Sequence, residues 1–278
     1  MDFKHTLLLI SLSVLFYSVS TIAKPQRVIS LNLCADQLLM ELLKPSSLVG
    51  ITQLASDPSA SFSYRKAHDF HQHNGRIEEV MALKPDLVIA GAFTSTATNQ
   101  MLGKLGYKII KLGLPKTVEE IIQQITFLGE QVGEQQRANE LIEAVRDEIT
   151  ILGSRNRAAT GLRAVVYYAN GFSAGKETIV NEILRLAGLK NIAADMGMAY
   201  IAPLSLESLL VSNPDVLLLG RLDANTDSLA HQVLQHDAIE KLSALEHVQK
   251  ISVPDRYWSC AGPSSIAAAS YIQQKITH

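Results

Sequence analysis

A chain of 278 residues, 47% of them hydrophobic, holds enough apolar material for one large or two modest α/β cores. Its 25 basic and 27 acidic residues leave a formal net charge of -2, which excludes a basic nucleic-acid binder by composition.

The chain opens "MDFKHTLLLISLSVLFYSVSTIAKPQ": Lys4 and His5 lead into an apolar run that ends in Thr21-Ile22-Ala23, small residues of the kind a signal peptidase reads. A permanent membrane anchor is the alternative, but Ser11, Ser13, Ser18 and Ser20 interrupt the run and no second apolar segment of that length follows. No cysteine lies near the cleavage position to take a lipid. Residues 1–23 are therefore expected to be a cleaved signal peptide, and the mature chain from Lys24 a soluble periplasmic protein.

Beyond Lys24, strand-like runs alternate with helical ones, beginning with "RVISLN" and then "CADQLLMELL", a pattern that predicts parallel sheet with helical crossovers. Part of the pattern occurs twice. "IEEVMALKPDLVIAG" (residues 77–91) and "LESLLVSNPDVLLLG" (206–220) match without a gap, so that Glu78 falls on Glu207, Pro85 on Pro214, Asp86 on Asp215 and Gly91 on Gly220. Each copy is preceded by a β-rich strand, a turn and an amphipathic helix. Two units in the same order predict two lobes of one design.

Between them, residues 117–157 contain no proline and keep Leu141, Val145, Ile149 and Leu152 at helical spacing. Gly129 and Gly133 are expected to separate a shorter helix from a long one. The expected organisation is an N-terminal lobe at 24–133, a connecting helix at 134–157 and a C-terminal lobe at 158–278. A helical connector predicts small relative motion of the lobes.

Taken in order, "RVISLN", "GRIEEVMALKPDLVIAG", "FSAGKETIVNEILRLAGLKNI", "SLESLLVSNPDVLLL" and "RYWSCAGPSS" resemble the periplasmic substrate-binding proteins of ABC importers for metal chelates: ferric siderophores, haem and cobalamin. The resemblance covers essentially the whole mature chain. It implies an α/β fold of two Rossmann-like lobes, each with a central, mainly parallel sheet, joined by one long rigid helix with a ligand cleft between them. It also implies a monomer without a cofactor of its own, whose partners are a metal chelate and an ABC permease dimer in the inner membrane. By position, Glu78 and Glu207 are the carboxylates that such proteins dock into permease arginines; ordinary helix-first-turn acids are the alternative.

"NGFSAGKET" tempts a phosphate-loop reading, but Gly171 is one residue too close and Glu177 stands at the hydroxyl position. The stretch reads instead as a turn that lines the cleft with Tyr168 and Phe172. "HDFHQHNG" carries His68, His71 and His73; no "HExxH" or cysteine-rich partner accompanies them, so no protein metal site is expected. The resemblance places Gln72 where cobalamin binders carry an aromatic, with His71 and His73 beside it as candidate contacts to chelate or metal. Tyr64, Tyr200, Tyr257 and Trp258 are candidate walls, and Arg256 a candidate partner for ligand carboxylates. Ser30, Ser259 and Ser264 lack "GxSxG" context, so an enzyme is not expected. A periplasmic metal or cofactor chaperone and, further off, a hydrolase are the rival readings.

Cys34 follows the first strand and Cys260 stands near the other end of the chain. An oxidising compartment permits them to pair. The resemblance puts Cys260 where cobalamin binders have a ligand-touching arginine, so both thiols are expected at the ligand site. They either form a disulfide across the cleft, contact the cargo or its metal, or pack unpaired.

Overall fold

The computed structural model describes residues 24–155, 161–221, 234 and 236–276. The expected signal peptide therefore lies outside the described residues. The first lobe holds a five-stranded parallel sheet, order β3-β2-β1-β4-β5, from β1 (Val28–Ser30), β2 (Leu48–Thr52), β3 (Gln72–His73), β4 (Leu87–Ala90) and β5 (Ile109–Lys111). Its crossovers include α1 (Leu33–Leu42), α2 (Ile77–Ala82) and α3 (Thr96–Lys104). Alternate strand residues point to opposite faces. Val28, Leu87 and Ile89 join one buried cluster, and Ile29, Leu31 and Val88 another. Burial on both faces is why the strands read as unbroken apolar runs rather than alternating ones.

The second lobe repeats the plan. A four-stranded parallel sheet of order β11-β10-β6-β8 is built from β6 (Arg163–Tyr167), β8 (Lys190–Asn191), β10 (Val216–Arg221) and β11 (Gln249–Pro254). A two-stranded antiparallel ribbon of β7 (Phe172–Ala174) and β9 (Ile201–Pro203) is added to it. The helices are α6 (Ile179–Leu186), α7 (Ile192–Asp195), α8 (Leu206–Ser212), α9 (Asp237–Ser243) and α10 (Pro263–Lys275). The ribbon explains the glycine of "FSAGKET". The amides of Gly175, Lys176 and Glu177 bond to the carbonyls of Tyr200, Met198 and Ala199, and a Cβ on Gly175 would strike the Met198 backbone. The glycine serves close strand approach, not a phosphate.

Between the lobes, α4 (Val118–Val132) and α5 (Gln135–Arg155) pack as a helical hairpin. Thr117 caps α4 through the amide of Glu120, and Gly133 ends it in the left-handed region at φ 68°. Gly129 does not separate the helices as expected; it lies inside α4, where any side chain would overlap Ala138 of α5. The long helix serves both lobes: Ala138 and Ile142 enter the first lobe's core, Val145 and Leu152 the second's.

The duplication seen in the sequence extends to atoms. Asp86 accepts the amides of Gln26 (2.7 Å) and Arg27 (3.1 Å), and Asp215 accepts that of Arg163 (2.7 Å). The Arg27 guanidinium donates to the carbonyls of Leu83 and Lys84, as Arg163 donates to that of Asn213. Lys84 and Asn213, equivalent in the repeat, both take φ 45°.

Candidate functional site: a cleft between two sheet edges

In each lobe the chain leaves the carboxyl end of the first strand and crosses above the next central strand, the edge where open α/β sheets receive ligands. The equivalent residues there are Asn32 and Tyr168, and each crosses a glycine. The Asn32 amide lies against Gly91, and the Tyr168 ring lies where a Cβ on Gly220 would approach it to 3.0 Å. This gives Gly91 and Gly220, matched in the sequence repeat, a common purpose. Asn32 also accepts the amides of Cys34 and Ala35 and so starts α1.

Three cavities line the two edges. One of about 400 Å³ runs between the lobes, with Ser59 and Ala60 on one side and Tyr168, Phe172, Ile201, Asp255, Trp258 and Ser259 on the other. A second, of about 490 Å³, sits at the carboxyl ends of β1, β2 and β3 and is lined by Leu31, Thr52, Leu54, Asp57, His73 and Asn74 among others. The third, of about 370 Å³, holds Phe62, Tyr64 and Glu41 opposite Arg256 and Tyr257. Leu54, Phe93, Tyr200 and Ile201 are all more than half exposed. They follow or begin strands whose ends face the cleft, so its mouth is rich in apolar surface.

The expected site residues separate into groups. Tyr168 and Phe172 share the interlobe cavity with Trp258. Burial and the nearby Asp255 carboxylate push the Tyr168 hydroxyl far up, so it stays protonated. Trp258 is not an open wall. It is 8% exposed, meets Tyr168 edge-on at 5.9 Å and donates Nε1–H to Asp255 Oδ1 at 3.3 Å, so it forms the cavity floor. Tyr200 is 61% exposed and lies under the Lys116 ammonium. Tyr64 lines the third cavity with Arg256 rather than the first. Arg256 is committed across the lobes, donating Nη1–H to the carbonyl of Pro58 at 3.2 Å and stacking over Tyr257. Gln72 is bonded to Ser56 Oγ and the Ala67 carbonyl.

The histidines do not act together. His68 and His71 are exposed, whereas His73 is buried with Nε2 donating to the Ser30 carbonyl at 2.9 Å and Nδ1 accepting the Gly75 amide. Both ring nitrogens are used. Burial holds the imidazole's pKa down, and the ring braces β3 against β1 instead of meeting a metal. Among the described residues no three His, Cys, Asp or Glu side chains converge as a metal site.

Cys34 and Cys260 form a disulfide, with Cα atoms 5.2 Å apart. It joins the first turn of α1 in one lobe to the turn before α10 in the other. Phe62 and Tyr257, edge-on at 5.4 Å, add an interlobe contact beside it. Neither thiol is free to bind cargo.

Sequence reasoning missed Asn32, Asp255, Ile201 and the buried pair beneath the second cavity, Asp36 with Thr52. Asp36 is fully buried, accepts the amide and hydroxyl of Thr52, and is pushed up to about 7 by burial. Asn32 and Tyr168 are equivalent by their places over Gly91 and Gly220, beyond the stretch that the ungapped repeat covers. The others act through contacts distant in the chain: Asp36 of α1 meets Thr52 at the end of β2, and Ile201 of β9 shares a cavity with Asp255.

Glu78 and Glu207 both lie exposed near the starts of α2 and α8. In α2 the first-turn backbone is served by the neighbour Glu79, whose carboxylate accepts the amides of Asn74 and Arg76. Glu207 has its own amide and the Ser205 hydroxyl as partners, which hold its carboxyl below the usual range.

With this geometry in place the chain can be compared with known proteins. Residues 28–257 match the periplasmic binding protein family model. The chain belongs to that family. It is 26% identical over 214 residues to a cobalamin-binding protein of Halobacterium salinarum, a match spanning 74% of this chain and 58% of that protein's length. It is 23% identical over 209 residues to a vitamin B12-binding protein of Yersinia pestis, covering 74% of this chain and 73% of the other. The fold is shared with the haem-binding protein RhuT of Roseiflexus, with TM-score 0.72, 23% identity and 90% and 97% of the two chains covered. It is shared also with the vitamin B12-binding protein BtuF of Vibrio cholerae, with TM-score 0.65, 19% identity and 90% and 96% covered.

Proposed function

We propose that this family member captures a metal chelate in the interlobe cleft, in the periplasm, and delivers it to an ABC-type permease in the inner membrane. The observation that carries the reading is the pairing of the two sheet edges: equivalent positions of a duplicated fold crown opposite sides of one cleft, with aromatic and aliphatic surface on both. Such surface suits the face of a bulky chelate. The relatives named for cobalamin and the fold shared with haem and B12 binders support the same class of cargo.

Covalent chemistry has no place in this reading. Ser30 is buried with its hydroxyl turned to the Asn32 carbonyl, and the Ser264 hydroxyl donates to the carbonyl of Cys260. The carboxyl beside Ser30 is that of the buried Asp36, which Thr52 shares. The disulfide and the shared helix α5 support a cleft of nearly fixed width, so capture needs little closure. Glu78 and Glu207, at matching places on the two lobes, are the proposed contacts to the permease.

The test is titration of the mature protein with cyanocobalamin, haemin and a panel of ferric siderophores, following Trp258 fluorescence. The Trp258 indole lies on the floor of the cleft, so cargo in the cleft quenches it. Saturable quenching by one chelate identifies the cargo; a flat response to every chelate, matched by no heat of binding, overturns the reading.

A further inference from the structure

The two repeat helices carry more than their glutamates. One helical turn beyond Glu78 lies Met81, 42% exposed, and one turn beyond Glu207 lies Leu210, 38% exposed. These residues are equivalent in the ungapped repeat, and at three residues' separation each shares a helix face with its glutamate. The next residues, Ala82 and Val211, are exposed too. Inward the copies agree as closely: Val80 and Leu209 are both completely buried. Helices this short could have covered Met81 and Leu210 or replaced them with polar residues without touching the core. Instead both lobes present the same carboxylate-and-aliphatic pair.

The mounting is duplicated as well. Asp86 and Asp215 tie the loops after these helices to the start of each lobe's first strand, and Arg27 and Arg163 bind the carbonyls at the helix ends. Each patch is thus held rigidly on its lobe, with little ordering left to occur on docking.

We propose that each docking site is a two-part device, Glu78 with Met81 on one lobe and Glu207 with Leu210 on the other. The partner that fits it is the periplasmic face of a dimeric membrane permease which offers, once per subunit, a cationic side chain beside an apolar socket. Repetition of the pair argues for this occupant: a partner with two equivalent halves matches two equivalent patches, whereas a single small molecule or one asymmetric protein would use only one. The carboxylates orient the approach and the aliphatic residues lengthen the stay, a division of labour expected for rim charges and desolvated anchors.

This rests on the permease-delivery reading above, and the experiment separates the two. Fluorescently labelled mature protein is bound to spheroplasts of the source bacterium across a salt series, with unlabelled wild type as competitor. The variants are Met81→Gln, Leu210→Gln, Glu78→Gln, Glu207→Gln and, as a control for loss of an exposed apolar group elsewhere, Phe127→Gln. The expected result is a roughly five- to tenfold weakening for each aliphatic variant with an unchanged salt slope. The glutamate variants weaken binding and flatten the slope, and Phe127→Gln binds as wild type. Glutamate variants that fail while Met81→Gln and Leu210→Gln bind normally overturn the two-part site and leave docking intact. Glutamate variants that bind normally overturn docking itself. Melting temperatures close to wild type show that the exposed substitutions have not unfolded the chain.

Discussion

Removing the interlobe disulfide should cost a large share of the protein's stability. Cys34 and Cys260 are 226 residues apart in the chain, so the bridge closes nearly the whole described molecule into one loop. Chain-entropy accounting for a loop of that length gives about 5 kcal/mol at 25 °C. The folded state should lose little beyond the bond, because Arg256 still reaches Pro58 and Phe62 still meets Tyr257. A double variant, Cys34→Ser with Cys260→Ala, respects the environments: the first position is half-buried, whereas the second is 3% exposed and best filled without a polar atom. Because α5 contributes to both lobes' cores, a single cooperative transition is expected. The predicted loss is about 3 to 5 kcal/mol, a fall in Tm of roughly 6 to 20 °C for a chain of this size. Urea and thermal unfolding followed by circular dichroism measure it, and dithiothreitol should shift the wild type, but not the variant, by a similar amount. A loss below about 1 kcal/mol, with thiol titration confirming two free cysteines in the reduced wild type, would refute the reasoning.

Three further outcomes are expected. Asp36 has a folded-state pKa raised from 3.8 to about 7, so the native state holds a proton that the unfolded chain has released. The sign of its contribution is then fixed: what Asp36 adds to stability is fully present below about pH 4 and is lost as pH rises towards 7, by roughly 4 kcal/mol in total. Asp36→Asn should abolish that decline, and a stability difference between variant and wild type that does not change between pH 4.5 and 8 would contradict it. Gly175→Val should destabilise the chain by several kcal/mol and displace the β7–β9 ribbon, since its side chain would occupy the space of the Met198 backbone; an unaltered melting curve would count against that packing. Asp215→Ala should lower stability by about 1 to 3 kcal/mol by leaving the Arg163 amide without its carboxylate, and Asp86→Ala should do the same in the other lobe; hydrogen exchange at those amides reports the loss locally.

Much of the fold was legible because it is written twice. The Pro-Asp that precedes β4 and β10, the buried residues of the short helices and the glycines near the strand ends keep register through an ungapped match, and each has the same physical task in both copies. Helix α5 was legible from its spacing, although Gly129 misled. A glycine inside a helix reads as a break until the partner helix that requires it is known, and that partner is Ala138. The site was less legible. His73, Gln72 and Trp258 are residue types that bind ligands, and nothing local distinguishes a free imidazole or indole from one whose polar atoms are already satisfied. The Ser30 carbonyl that occupies His73 lies 43 residues away in sequence.

The sequence by itself determined the two-lobe plan, the helical connector and the duplicated glutamates, because periodicity and repetition are local properties that one chain displays along its length. Only the tertiary structure decided that Cys34 and Cys260 meet, that Arg256 is held by the opposite lobe and that Asn32 and Tyr168 stand at equivalent positions on the two edges of the cleft. Those are distances between segments far apart in the chain. They are set by how two independently formed sheets are brought together on one helix, and no residue pattern within either sheet encodes that separation.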